Sequence, residues 1–145
     1  MTPAPDIIAA AMAAQRKWKI PASVSIAQYG LESGWGAHMP PGSNNPFGIK
    51  ALPGQARSNT LTREVVHGQD VVIHAGFRVF ASIAEAFDAH AELLATAGAY
   101  AGARARLPDV DGFVTALTGV YATDPNYGRE LTAIIKNDDL TRFDA

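Results

Sequence analysis

From Pro40 to Phe80 the chain abandons the helical spacing seen on either side, and this interruption does most to narrow the folds open to it. The opening stretch, Pro40-Pro41-Gly42-Ser43-Asn44-Asn45-Pro46, is loop chemistry: proline fixes φ and removes a donor, while Asn and Ser bond their own backbone. Two runs rich in β-branched residues follow, Thr60–His67 and Val71–Phe80, around His67-Gly68-Gln69-Asp70. Their spacing predicts a hairpin. In the second run Val71, Ile73, Ala75, Phe77 and Val79 alternate with Val72, His74, Gly76, Arg78 and Phe80, and we expect the first set to face protein. Two strands alone are marginal in water. This lobe, at about residues 55–80, must therefore lean on the helices around it.

Before it, Thr2 or Asp6 can cap a first helix, with Pro3 or Pro5 in its first turn, where a missing N–H costs nothing. Pro21 opens a second helix carrying Val24, Ala27, Leu31 and Trp35 at three- and four-residue spacing, and Gly34 and Gly36 end it. After the lobe, Ser82-Ile83-Ala84-Glu85 is a capping-box pattern, followed by a stripe of Ile83, Phe87, His90 and Leu94. Asp111 can cap a helix carrying Phe113, Leu117 and Val120. Asp124-Pro125 starts the last one, with Tyr127, Leu131 and Ile134 on one face. Helices, a small antiparallel sheet, then helices make an α+β chain with a mostly helical body, read as one domain over residues 1–145.

Composition excludes several functions. Twelve Lys and Arg against fourteen Asp and Glu give a net charge of −2 without basic runs, so a strongly electrostatic nucleic-acid binder is not expected. With no cysteine there are no disulfides, thiolate metal sites or cysteine nucleophiles. No apolar run approaches the roughly 20 residues that span a bilayer, and Ile7–Ala14 lacks the basic flank of a secretory signal. His38, His67, His74 and His90 show no metal-ligand spacing and are expected to be structural or solvated. We expect no cofactor and no metal.

One carboxylate stands out. Glu32 lies near the end of a helix whose other positions are apolar or small, beside Leu31 and Trp35. Partial desolvation there would raise its proton affinity, as a general acid requires.

The stretch Ile26-Ala27-Gln28, then Leu31-Glu32-Ser33-Gly34-Trp35-Gly36, resembles the catalytic-glutamate motif of glycoside hydrolase family 73, bacterial endo-β-N-acetylglucosaminidases that cut peptidoglycan. Three further landmarks follow in the family's order: Asn45-Pro46-Phe47-Gly48-Ile49-Lys50, Phe77-Arg78-Val79-Phe80-Ala81-Ser82, and Tyr121 to Tyr127. The resemblance implies a lysozyme-like fold with a β-hairpin lobe flanking the substrate cleft, and Glu32 as general acid. For the second catalytic group it points to Glu64. Asp70 at the hairpin tip is a rival, and the substrate's own acetamide, supported by Tyr121, is a third route. It places Asn45, Phe47 and Gly48 along the cleft and Tyr121 and Tyr127 against the sugar, whereas Trp35 is expected in the core. The same fold also carries lytic transglycosylases and N-acetylmuramidases, and a non-enzymatic glycan-binding module is the alternative of another class.

The implied partner is the peptidoglycan glycan strand, met by a monomer, with no nucleic acid and no membrane involved. The expected place of action is the cell wall, most simply the periplasm of a Gram-negative target, reached through a phage holin or a dedicated secretion apparatus. A secreted effector of this kind would be matched by an immunity protein.

Overall fold

A computed structural model describes residues 2–145. Among them the order is α1 (Pro5–Trp18), α2 (Ala22–Ser33), β1 (Arg57–Val66), β2 (Gln69–Arg78), α3 (Ile83–Thr96), α4 (Ala101–Arg104), α5 (Val110–Ala116) and α6 (Tyr127–Asn137). Short 3-10 turns lie at Gly98–Tyr100 and Leu140–Phe143. This is the α+β arrangement expected. No helix among the described residues is long and apolar enough to cross a membrane.

Helix α2 is the centre of the body. Every residue from Ala22 to Gly30 is buried, on all sides of the helix. Small side chains make this possible, because Ala22, Ser23, Ser25, Ala27 and Gly30 let α1, α6 and the C-terminal turn come close. Such enclosure keeps water from the unpaired N–H groups of the first turn. Pro21, at the cap position, offers no side-chain acceptor. Acceptors arrive from elsewhere: Gln15 Oε1 takes the Ala22 N–H at 3.0 Å. The Asp144 carboxylate takes the Ser23 N–H at 2.8 Å and its hydroxyl at 2.7 Å. At the other end Gly34 turns left-handed and its N–H closes on the Gly30 carbonyl.

Helix starts differ from the sequence expectation where a nearby residue does the work better. Ala4, not Thr2 or Asp6, occupies the first cap without a side-chain bond, with Pro5 following and Asp6 in the first turn. Asp109, not Asp111, caps α5 by accepting the Gly112 N–H at 3.1 Å, while Asp111 lies in the first turn and reaches Lys136 at 3.7 Å. α5 ends at Ala116, leaving Val120 exposed beyond it. Asp124 folds a turn ahead of α6, accepting the Asn126 N–H at 2.8 Å, so the helix begins at Tyr127. Ser82 caps α3 as expected, accepting the Glu85 N–H at 3.1 Å, but the Glu85 carboxylate turns to Arg78 at 3.9 Å instead of completing the box.

The hairpin turn is His67-Gly68 alone, both residues at positive φ (51° and 78°). This is the two-residue geometry whose twist matches the strands. Asp70 therefore belongs to β2, opposite Val65. At its base the sheet is tied to the body by Ala51 N–H to Gly76 O (2.8 Å) and Arg78 N–H to Ile49 O (2.9 Å). There Ala75 and Phe77 are buried as expected. Nearer the tip the alternation fades, and Ile73 is 38% exposed, because the hairpin projects past the helices it would pack on.

Candidate active site

Glu32 sits on the last turn of α2, and Tyr127 on the first turn of α6. The Tyr127 phenol donates to Glu32 Oε1 at 2.8 Å and accepts from Gln28 Nε2 at 2.8 Å. The Glu32 side chain opens to solvent on one side, while protein surrounds its carboxyl on the other. That burial raises its proton affinity above the ordinary carboxylate value, and the Tyr127 hydrogen bond opposes it with a smaller effect.

Two basins meet at Glu32. Glu32, Gly48, Thr62 and Phe77 border both. The first, about 530 Å³, is completed by Phe47, Lys50, Glu64, Tyr100 and Tyr121 among others. The second, about 410 Å³, is walled by Pro40, Pro41, Pro46, Met39 and His38 against Thr60 and Leu61 of β1. The inward residues of β1 thus form one wall and the end of α2 the other.

An aromatic floor runs beneath the first basin. Phe47 stacks on His90 (3.9 Å between centroids, 14°), His90 meets Tyr121 edge-on at 5.9 Å, and Tyr121 stacks on Tyr127 at 5.6 Å. Tyr121 shows part of its surface to the cleft while its hydroxyl lies deep. Burial, then the nearby Glu32 and Tyr100, push that phenol's pKa well above the ordinary value. Tyr127 is raised too, by burial first and then by Tyr121 and Glu32, so both phenols stay neutral. His90 is fully buried, neither ring nitrogen has a hydrogen-bond partner among the described residues, and burial lowers its pKa to about 3.

Glu32, Glu64, Tyr121, Phe47 and Gly48 are thus brought together, with Gly48 at φ 67° on the rim shared by the basins. Two other expected residues are placed differently, and a third borders the cleft while serving mainly to hold the loop. Asp70 is exposed and lies outside the cleft lining, because the short turn carries it up β2. Tyr127 is only 3% exposed and stands behind Glu32, not against the cleft. Asn45 borders the second basin but is 1% exposed: its Nδ2 donates to Ile49 O (2.7 Å) and Arg78 O (3.0 Å), and its Oδ1 accepts the Ile49 N–H (3.2 Å). It staples the loop to β2.

Trp35 lies past the end of α2 at φ 58°, partly buried, with its indole over Gly30. A Cβ at residue 30 would come within 2.6 Å of that ring, so only glycine fits. His38 stands on the rim of the second basin, and His67 and His74 are exposed on the hairpin. Lys50 was not singled out from sequence, yet its Nζ pairs with Glu64 Oε1 at 2.9 Å across the first basin. Gln28 was missed as well. Both lie inside the motif stretches, which were the available signal. No three His, Asp or Glu side chains converge as a metal site among the described residues.

A helix-borne, partly desolvated glutamate facing a hairpin wall across an open cleft is the build of a lysozyme-like glycoside hydrolase domain. The chain belongs to the glucosaminidase family, glycoside hydrolase family 73: the family's model, described as mannosyl-glycoprotein endo-beta-N-acetylglucosaminidase, matches residues 8–140. It is 40% identical over 131 residues to a protein named "Probable N-acetylmuramidase" of Lactococcus lactis, covering 84% of this chain and 30% of that one. It is 31% identical over 134 residues to the exo-glucosaminidase LytG of Bacillus subtilis, covering 88% and 48%. The chain therefore spans less than half the length of either relative. The solved catalytic domain of the autolysin Auto from Listeria monocytogenes superposes with a TM-score of 0.82 at 31% identity, covering 96% of this chain and 84% of that domain.

Proposed function

We propose that this domain hydrolyses the β-1,4 bond between N-acetylglucosamine and N-acetylmuramic acid in peptidoglycan, as an endo-β-N-acetylglucosaminidase with Glu32 as general acid. The observation that carries this is the Glu32 carboxyl, held at the junction of the two basins with its proton affinity raised by burial. A glycosidic oxygen at that junction would be protonated as the bond breaks toward an oxocarbenium-like state. Basins on both sides of Glu32 suit sugars on both sides of the scissile bond, which favours attack within a strand.

Glu64 is our assignment for the second carboxylate, because it lines the same basin as Glu32 and Asp70 does not. Tyr121, with its surface toward that basin, suits the acetamide or ring of the sugar whose bond is cut. Phe47 and Gly48 complete the floor beneath it. Action on the wall polymer fits the names of the relatives, which include both a muramidase and a glucosaminidase.

Product analysis decides between these bonds. Purified peptidoglycan is digested with the native protein and with Glu32→Gln, reduced with borohydride, and the new ends are identified by mass spectrometry. Reduced N-acetylglucosamine ends, absent with Glu32→Gln, are expected. Reduced muramic acid ends would make the domain a muramidase, and anhydro-muramic ends a transglycosylase. Binding to the wall without any release would leave a glycan-binding module.

A further inference from the structure

A carboxyl acting as general acid has two oxygens, and its proton is useful only on the one that faces the substrate. The chain Gln28–Tyr127–Glu32 bears on which oxygen that is. A phenol has one proton to give and lone pairs to receive with. Gln28 Nε2 donates to the Tyr127 oxygen at 2.8 Å, and the same oxygen stands 2.8 Å from Glu32 Oε1. Gln28 is wholly buried and Tyr127 nearly so, which shields the bond between them from bulk solvent.

We propose that Gln28 is a positioning residue for the general acid: by donating to Tyr127 it makes the phenol donate to Glu32 Oε1, so that Oε2 carries the acid proton into the cleft. This rests on the reading of Glu32 as the acid. Were the phenol free to turn, it could instead accept a proton held on Oε1, and the acid would point into the protein. With the amide N–H in place, that reversal would leave the phenol's own hydrogen without an acceptor in a buried site, which is costly.

Stability alone does not explain a glutamine here. Gln28 Oε1 is buried without a hydrogen-bond partner among the described residues, a penalty that an apolar side chain of similar length would avoid. The amide is held by the phenol and not by a wider structural network.

The test is a double-mutant cycle on kcat against pH, using a soluble peptidoglycan glycan oligosaccharide, with Gln28→Met, Tyr127→Phe, the double variant and Glu32→Gln. Gln28→Met is expected to lower kcat about tenfold, equivalent to roughly 1.4 kcal/mol, with little change in KM. Its alkaline limb should move up, in the direction Tyr127→Phe moves it, because each loosens the bond that favours ionised Glu32. The double variant should match Tyr127→Phe alone, since Gln28 acts through the phenol. Gln28→Glu, which keeps the volume but replaces the donor with an acceptor, should lose at least as much and serves if Gln28→Met does not fold. Effects that simply multiply, or a kcat and pH limb left in place while Tm falls, would overturn the proposal and make Gln28 a packing residue. Native activity in Glu32→Gln would overturn the acid assignment itself, a result distinct from either.

Discussion

Replacing His90 by phenylalanine keeps a flat ring against Phe47 while removing the only buried histidine among the described residues. The unfolded chain titrates this side chain near 6.5, whereas the folded protein holds it neutral down to about 3. Between those values the unfolded state binds one proton more than the folded state. Native stability from this group is therefore complete above about pH 6.5 and declines toward the folded value, by about 1.4 kcal/mol per pH unit. From pH 7 to 4.5 the loss attributable to His90 is about 2.5 kcal/mol. His90→Phe escapes it, and the carboxylates common to both proteins cancel in the comparison. Urea unfolding at pH 7 and pH 4.5, followed by tryptophan fluorescence, should show the variant gaining on the native protein by that amount. A gain under about 1 kcal/mol would refute the reasoning, because it would mean the folded ring takes up its proton near the ordinary histidine value.

Asp144→Ala removes both bonds to Ser23 and should cost roughly 1–2 kcal/mol in urea unfolding while leaving the residues of the cleft untouched. Glu64→Gln should lower kcat by about a hundredfold or more if this carboxylate is the second catalytic group. A fall of only a few-fold, with KM raised, would assign it to holding Lys50 and hand the chemistry to the substrate acetamide.

The elements were readable where one period dominates. The stripe Phe87, His90 and Leu94 lies where its spacing places it, as do Ala75 and Phe77 at the base of the hairpin. Phe80, expected to face away, is 1% exposed because the strand's alternation ends with β2 at Arg78. Helix starts were less so, because several Asp and Thr residues compete within a few positions and tertiary contacts choose: Asp109 over Asp111, a turn at Asp124. The cap on α2 is invisible locally, since Gln15 and Asp144 reach it through space. Within the site, Glu32, Phe47 and Tyr121 fall in the cleft, as motif and chemistry together indicate. Tyr127 lies in the same motifs but supports it from behind, and Asn45 borders the second basin while its amide holds the loop. Residue type alone does not distinguish a side chain that meets substrate from one that holds its neighbour. The difference between Glu64 and Asp70 was a matter of register, settled by a turn of two residues where a longer tip was expected.

The bond between Ser23 and Asp144 joins residues 121 positions apart. During synthesis, the helix bearing Glu32 emerges early, but the group that completes its first turn is made long after the hairpin and the remaining helices. Until Leu140 docks and Asp144 arrives, a nascent chain has every cleft residue and an unfinished support for Glu32. The support of that helix is thus the last part of the chain to be made. A chain cut short before Asp144 is left with its chemistry present but poorly anchored, and offers its half-buried helix to proteases.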